Sequence, residues 1–345
     1  MNHNHKSYIT GDKKIDQDID QLSCKYSTPA TREYFRQLFT SIIKLYQDCA
    51  NEKDLYLANT TLKEMRHIFR TFAHYRDIRK VVIFGSHRTP TSSREYEMAE
   101  DFSRQMVEKG YMIITGGGGG VMEAGNKGAG RNGFAVKIKL PLESDPNPYV
   151  LPGEKLLNVK YFFTRKLTFI KESDATVLFP GGFGTHDEGF EILTLLQTGR
   201  ALPRPIVCLE PKGGKYWKTW LNFLKKELLK GGYIREADFD LFRVVYSIKD
   251  AVKEIVDFHR VYHSIHYGKE YTVIRLNQRL PEKALQKLSR KYKDIMEGEI
   301  VPGGPLPSEI RAREYLDLPR ICFHFDRRSF NRLVALIRDL NLSYP

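Results

Sequence analysis

From Lys80 to about Tyr262 the chain alternates short β-branched apolar runs with amphipathic stretches. KVVIFGS, YMIITGGGGG, GFAVKIKLP, DATVLFPGG and RPIVCLEP each read as a buried strand closed by Gly or Pro. Tyr96, Ala99, Phe102 and Met106 mark a helix face between the first two runs, and further helical patterns cover 160–172, 186–198 and 216–230. Strands alternating with helices imply βαβ units with right-handed crossovers. The expected fold is therefore α/β, a doubly wound, Rossmann-like parallel sheet. In such sheets ligands gather at the carboxyl ends of the strands, where the glycine turns fall.

The flanking segments have a different texture. Residues 1–28 are polar and without periodicity, and read as a mobile tail. A helical N-terminal extension is expected over 29–77: Phe35, Leu38, Phe39, Ile42, Ile43 and Tyr46 share one face, and Leu62, Met65, Ile68, Phe69 and Phe72 share another. These faces need a partner, most simply the 78–262 domain that follows. Over 263–345, EYTVIRLN and PRICFHFDR are strand-like, while PEKALQKLSRKYKDIM and FNRLVALIRDL are helical. That β-α-β-α order suggests a small α+β appendage of ferredoxin-like form, with no chemistry legible in it.

Composition narrows the class without naming a function. The 345 residues are 41% hydrophobic and 28% charged, which is globular composition, and a chain of this length buries roughly three quarters of its unfolded surface without a staple. Cys24, Cys49, Cys208 and Cys322 are widely separated and form no CxxC pair, so neither a zinc site nor a disulfide framework is signalled. No run approaches the ~20 apolar residues that span a bilayer, and the first residues carry no apolar leader core, so a cytoplasmic protein is expected. Lys plus Arg at 55 against Asp plus Glu at 42 gives +13, a field that attracts anions. The basic residues are dispersed and no nucleic-acid-binding pattern is present, which favours a small phosphorylated ligand over nucleic acid.

Two glycine loops carry the candidate chemistry. Thr115-Gly116-Gly117-Gly118-Gly119-Gly120 lies between a strand and the helical VMEAGNKGAG, so N–H groups of Gly117, Gly118 and Gly119 can approach an anion at a helix start. It has no GK[ST] ending and is not a P-loop. For a dinucleotide fingerprint the third glycine falls on Val121 or Met122, and the next strand offers Lys137 and Lys139 where a ribose-binding acid is wanted. The second loop is Pro180-Gly181-Gly182-Phe183-Gly184-Thr185-His186-Asp187-Glu188, whose glycines and Thr185 hydroxyl can cradle another part of the same ligand. Alone, Asp187 and Glu188 also read as dipole complementation at a helix start, Arg165-Lys166 as a solvated basic face, and His186 as a solvent-side helix residue.

The order of these pieces, a GS loop at Gly85-Ser86, GGGxxMEAxNKGA, Arg165-Lys166 and PGGFGTHDE, resembles the LOG (Lonely Guy) family, earlier described as lysine decarboxylase-like. The resemblance covers about 79–262. Both halves of the family signature, RK and PGGxGTxxE, stand without substitution, and the glycine loop is similar to that of the longer bacterial members. The first loop departs, reading FGSHR at Phe84 to Arg88 where short members have CGSS.

The resemblance implies hydrolysis of the N-glycosidic bond of a nucleoside 5′-monophosphate, whether a cytokinin riboside monophosphate or an AMP-like purine nucleotide, to free base and ribose 5-phosphate. Departure of the base builds oxocarbenium character on the ribose, which an ionised carboxylate stabilises, and Glu188 is the candidate. Arg165 would clamp the phosphate or hydroxyls and hold Glu188 ionised. Gly85, Ser86, Lys166, Gly181, Gly182, Gly184 and Thr185 would bind substrate, and Glu123 the sugar or base. No metal or cofactor is expected, and pyridoxal chemistry finds no Schiff-base partner set around Lys166. The resemblance further implies a homodimer or larger assembly with the site near its interface. The alternative is a non-catalytic nucleotide or phosphorylated-ligand sensor that keeps the crevice.

Overall fold

The computed structural model describes residues 8–48, 51–138, 145–151 and 153–342. The chain divides into two compact units, 1–67 and 68–345. The first holds α1 (Lys13–Tyr26), α2 (Arg32–Asp48) and the start of α3 (Glu52–Ala73).

Helix α1 occupies most of the segment expected to be a tail. Asp12 caps it, its carboxylate accepting from the N–H groups of Lys14 (2.8 Å) and Ile15 (3.1 Å), and Ile15, Ile19 and Leu22 recur at helical spacing amid polar residues, with Ile19 buried. Three aliphatic positions in fourteen are a faint stripe, which is why the segment reads as unstructured. Within α2 the expected apolar face is open, Leu38, Ile42 and Tyr46 all being exposed.

The second unit is built on a seven-stranded sheet. Along the chain come β1 (Lys80–Phe84), α4 (Arg94–Glu108), β2 (Met112–Thr115), α5 (Val121–Ala129), β3 (Gly133–Ile138), β4 (Leu156–Val159), α6 (Phe162–Glu172), β5 (Ala175–Leu178), α7 (Phe183–Gln197), β6 (Ile206–Leu209), α8 (Tyr216–Phe223), β7 (Arg243–Val245) and α9 (Ile248–Phe258). The order is β4-β3-β2-β1-β5-β6-β7, and every pairing is parallel. This is the expected α/β, Rossmann-like architecture.

Both faces of the sheet are covered, as an all-parallel sheet requires. Val81, Ile83, Ile113 and Val177 pack toward Phe102 of α4, Ala124 of α5 and Ile255 of α9. On the other face Val82, Ile114 and Phe134 meet Phe169 of α6 and the last turn of α3, where the Phe72 and Phe134 rings lie 4.6 Å apart. Strands β4 and β7 escape the sequence reading because they are short edge strands.

The C-terminal segment adds β8 (Tyr262–Tyr267), β9 (Thr272–Leu276), α10 (Glu282–Lys291), β10 (Met296–Gly303), α11 (Pro307–Ala312), β11 (Arg320–Phe325) and α12 (Phe330–Leu342). Its four strands are ordered β10-β11-β9-β8 and are antiparallel throughout. Two hairpin-like pairs joined at β9 and β11 thus replace the expected ferredoxin-like arrangement, because β8 and β10 carry mixed, half-polar patterns that hide them. The segment is not a separate body: Leu178, Cys208 and Trp217 of the parallel-sheet layer share one continuous apolar core with Ile274, Ile321, Leu333 and Ile337. Asn341 of α12 reinforces the join, its side-chain oxygen accepting from the N–H groups of Val261 (2.7 Å) and Tyr262 (3.1 Å). Among the described residues no helix is long and apolar enough to cross a membrane. Cys24, Cys208 and Cys322 are free thiols, and Cys49 lies outside the described residues.

Candidate active site

The strand order fixes where a crevice must open. From β1 the chain winds outward through β2, β3 and β4, then returns to place β5 on the other side of β1, so the loops after β1 and β5 diverge at the switch of direction. Three loops meet there and are laced together. Ser86 N–H donates to the Pro180 carbonyl (3.1 Å), Val121 N–H to the Ser86 carbonyl (3.1 Å), and Phe179 N–H to the Phe84 carbonyl (2.8 Å). Gly120 is required for this lacing: its φ is +61°, and a Cβ there would run into the Ser86 carbonyl oxygen.

Helices α5 and α7 both begin at the crevice, and their N-caps, Gly120 and Gly182, provide no side-chain acceptor. The first N–H groups of a helix have no partner in the regular helical ladder. Here Val121 of α5 spends its N–H on the Ser86 carbonyl and Thr185 of α7 on the Gly182 carbonyl, and the remaining first-turn N–H groups, with the positive end of each dipole, are where an anion can be met. The glycine run is shaped by buried polar side chains. Thr115 Oγ1 accepts from Gly117 N–H (3.0 Å) and donates to Asn126 Oδ1 (2.7 Å), and Asn147 Nδ2 donates to Asn126 Oδ1 (3.0 Å) and to the Gly118 carbonyl (3.0 Å). Asn126 Nδ2 reaches the Phe134 carbonyl at 3.3 Å.

The crevice is a cleft of about 770 Å³, wide enough for a nucleotide. Of the residues singled out in the sequence, it brings together Gly85, Ser86, Arg165, Gly181, Gly182, Gly184, Thr185 and Glu188. Gly117, Gly118, Gly119, Glu123 and Lys166 are not among its lining residues. Gly117 spends its N–H on Thr115 and its carbonyl on Asn147, so it scaffolds the loop, and Glu123 accepts a hydrogen bond from the Tyr96 hydroxyl (3.0 Å).

Lys166, expected to bind substrate, is paired inside the protein: its Nζ lies 2.8 Å from Glu191 Oε2, 3.0 Å from Asp187 Oδ2 and 3.4 Å from Glu188 Oε2, a counter-charge to three carboxylates. Burial opposes its charge, but the hydrogen bonds to Glu191 and Asp187 prevail and raise its pKa.

Arg165 faces the other way. Its Nε donates to the Val136 carbonyl (3.0 Å), and the guanidinium lies over the Phe169 ring (5.2 Å) and against the bare Cα of Gly116, where a Cβ would collide with it.

Glu188 stands one turn into α7 with its side chain only 11% exposed. Burial pushes it up to about 7; the Lys166 charge opposes this, the Glu191 carboxylate adds to it, and Arg165 is the weakest influence. Arg165 therefore does not hold the carboxyl in the ordinary ionised range, as expected from the sequence, because desolvation outweighs both cations. A carboxyl half-ionised near neutrality can both take and return a proton, which is the property required of a general base.

Further lining residues went unassigned in the sequence: Phe162 and Phe169, which share the Arg165 face of α6 at three- and four-residue spacing, together with Gly116, Met122, Phe183 and the departing first-loop residues Phe84, His87 and Arg88. The helical period could have found the two phenylalanines. His186 is not a solvent-side residue. It lines the cleft, its Nε2 is 2.7 Å from the Tyr216 hydroxyl, and its ring stacks on Tyr216 and Phe190.

Residues 117–255 match the family described as possible lysine decarboxylase. The chain is 25% identical over 189 residues to a cytokinin riboside 5′-monophosphate phosphoribohydrolase of Arabidopsis thaliana, covering 52% of this chain and 83% of the relative. A relative of that name in Mycobacterium tuberculosis is 28% identical over 172 residues, covering 48% and 87%. A probable one in Oryza sativa subsp. japonica is 31% identical over 159 residues, covering 44% and 62%.

Proposed function

We propose that this chain, whose residues 117–255 match the family described as possible lysine decarboxylase and whose relatives are named phosphoribohydrolases, hydrolyses the N-glycosidic bond of a nucleoside 5′-monophosphate. The substrate class is a purine nucleotide, AMP-like or a cytokinin riboside monophosphate, and the products are free base and ribose 5-phosphate. The observation that carries the reading is Glu188, a desolvated carboxyl pushed up to about 7 that shares one cleft with Arg165 and two uncapped helix starts.

The geometry supports a simple division of labour. The N–H groups at the starts of α5 and α7 and the Arg165 guanidinium neutralise the phosphate and hold the ribose in place. As the C1′–N bond lengthens, its electron pair leaves with the base and positive charge grows on the ribose. The Glu188 carboxylate stabilises that charge and accepts a proton from the water whose oxygen bonds to C1′. The proton held on Glu188 is then available to the departing base. Phe162 and Phe169 supply apolar surface that keeps bulk water from the reacting centre.

The test is release of free base, followed chromatographically, from a panel of nucleoside 5′-monophosphates. The proposal expects turnover of at least one purine monophosphate and a loss of about 10²–10⁴-fold in Glu188→Gln with nucleotide binding retained. Tight binding without turnover in the wild-type protein would replace this reading with the sensor reading.

A further inference from the structure

We propose that Tyr216, partnered by His186, is a positioning residue that aims the N–H of Gly182 into the cleft and so sets affinity for the phosphate of the substrate; this rests on the nucleotide-hydrolase reading above. The argument begins with the peptide joining Gly181 and Gly182. A trans peptide is planar, and its C=O and N–H point in opposite directions. Fixing one therefore fixes the other. The Gly181 carbonyl accepts a hydrogen bond from the Tyr216 hydroxyl at 2.5 Å. Tyr216 does not line the cleft but a neighbouring depression, with Trp220 and Phe223, so the carbonyl is drawn to the side away from the substrate. The Gly182 N–H is left on the cleft side, at the cap of α7, without an acceptor among the described residues. Glycine at both positions leaves this peptide free to flip unless something holds it.

Proton counting extends the chain by one residue. A tyrosine hydroxyl has one hydrogen, and a carbonyl can only accept, so the Tyr216 hydrogen is committed to Gly181. The contact between His186 Nε2 and the Tyr216 oxygen, 2.7 Å, must then be an N–H of His186 donating to Tyr216. Burial lowers the His186 pKa, which keeps the ring neutral near pH 7 in the tautomer with its proton on Nε2. His186 belongs to the loop that opens α7, so the arrangement closes a ring: Gly181 to Tyr216 to His186 and back along six residues of chain.

Tyr216 is itself held from behind. The buried Glu210 carboxylate accepts from the N–H groups of Tyr216 (3.0 Å) and Trp217 (3.1 Å), which pins the start of α8, and the Tyr216 ring packs edge-on to Trp217 at 4.9 Å. Of this set His186 lines the cleft, while Tyr216 and Glu210 stand behind it. The effect of the Tyr216 hydroxyl should fall on phosphate binding alone.

The experiment compares wild type, Tyr216→Phe, His186→Phe and His186→Gln in steady-state hydrolysis of a nucleoside monophosphate, with product inhibition by ribose 5-phosphate as a second readout. Loss of one hydrogen bond that orients the peptide is expected to raise KM and the inhibition constant together by about 3- to 12-fold in Tyr216→Phe, with kcat changed less than about twofold. His186→Phe should move in the same direction, and His186→Gln, which keeps an N–H donor, should lie closer to wild type. Unchanged KM and inhibition constant in Tyr216→Phe, or a fall in kcat alone, overturns the proposal. If the wild-type protein releases no base, the hydrolase reading fails separately, and calorimetric binding of ribose 5-phosphate to the same variants still decides the role of Tyr216. A melting temperature within a few degrees of wild type checks folding. Should Tyr216→Phe not fold, His186→Phe against His186→Gln carries the comparison.

Discussion

Lys166 Nζ sits 3.4 Å from Glu188 Oε2 but closer to both Asp187 and Glu191, so one cation is divided among three carboxylates. That division leaves Glu188 undercompensated for its burial, and its pKa stays near 7. Were the lysine devoted to Glu188 alone, the carboxyl would be held lower and would be a poorer base. Three carboxylates of α7 and one lysine of α6 thus set how far burial raises Glu188.

Lys166→Met is therefore expected to raise the Glu188 pKa above its present value of about 7, since the cation that opposes burial is gone. The ionised form then appears only at higher pH. The acidic limb of the kcat/KM profile should move toward alkaline pH, and activity at a fixed pH on that limb should drop roughly tenfold for every pH unit the limb travels. An unmoved limb would remove Lys166 from this role.

Glu188 also makes stability depend on pH, in a direction opposite to that of a salt-bridged carboxylate. Its folded pKa, about 7, exceeds its ordinary value of 4.5, so between these limits the folded state binds more protons than the unfolded state and stability falls as pH rises. Glu188→Gln removes that penalty. The variant should be more stable than wild type at pH 8, by on the order of 1–3 kcal/mol, and the difference should vanish near pH 4.5. Chemical denaturation at the two pH values measures it.

Asn126 is buried and serves three partners, accepting from Thr115 and Asn147 and donating to the Phe134 carbonyl. Asn126→Asp keeps both acceptor roles but loses the donor and buries a charge. A loss of about 1–3 kcal/mol is expected by denaturant titration, larger at pH 8 than at pH 5, because protonation of the new carboxyl restores a donor.

The sequence made the parallel-sheet layer legible where a strand and its turn were both strongly marked. β1, β2, β3, β5 and β6 are apolar runs ending at Gly or Pro, and the two glycine loops announced the crevice. The elements it hid are those whose stability is non-local. β4, β7 and β8 exist through pairing with one neighbour, and β10 through pairing with β11, from which it is separated by α11. The candidate site divides in the same way. Glu188, Arg165 and the second loop were found from a local signature, while the distribution of charge around Lys166 and the Tyr216–His186 contact arise only when α6, α7 and α8 are brought side by side. His186 looked solvent-facing because its aromatic neighbours Tyr216 and Trp220 lie about thirty residues further on.

The apolar core that runs unbroken from Leu178 and Trp217 to Ile321 and Ile337 has a consequence for how this protein can be dissected or recombined. Cutting after residue 262 would not liberate a self-sufficient parallel-sheet unit. It would uncover an oily wall on α7 and α8, directly behind the loop that Tyr216 steadies. The appendage is thus a permanent buttress, not a detachable module, and a chimera made by exchanging it must also exchange the side chains it rests upon.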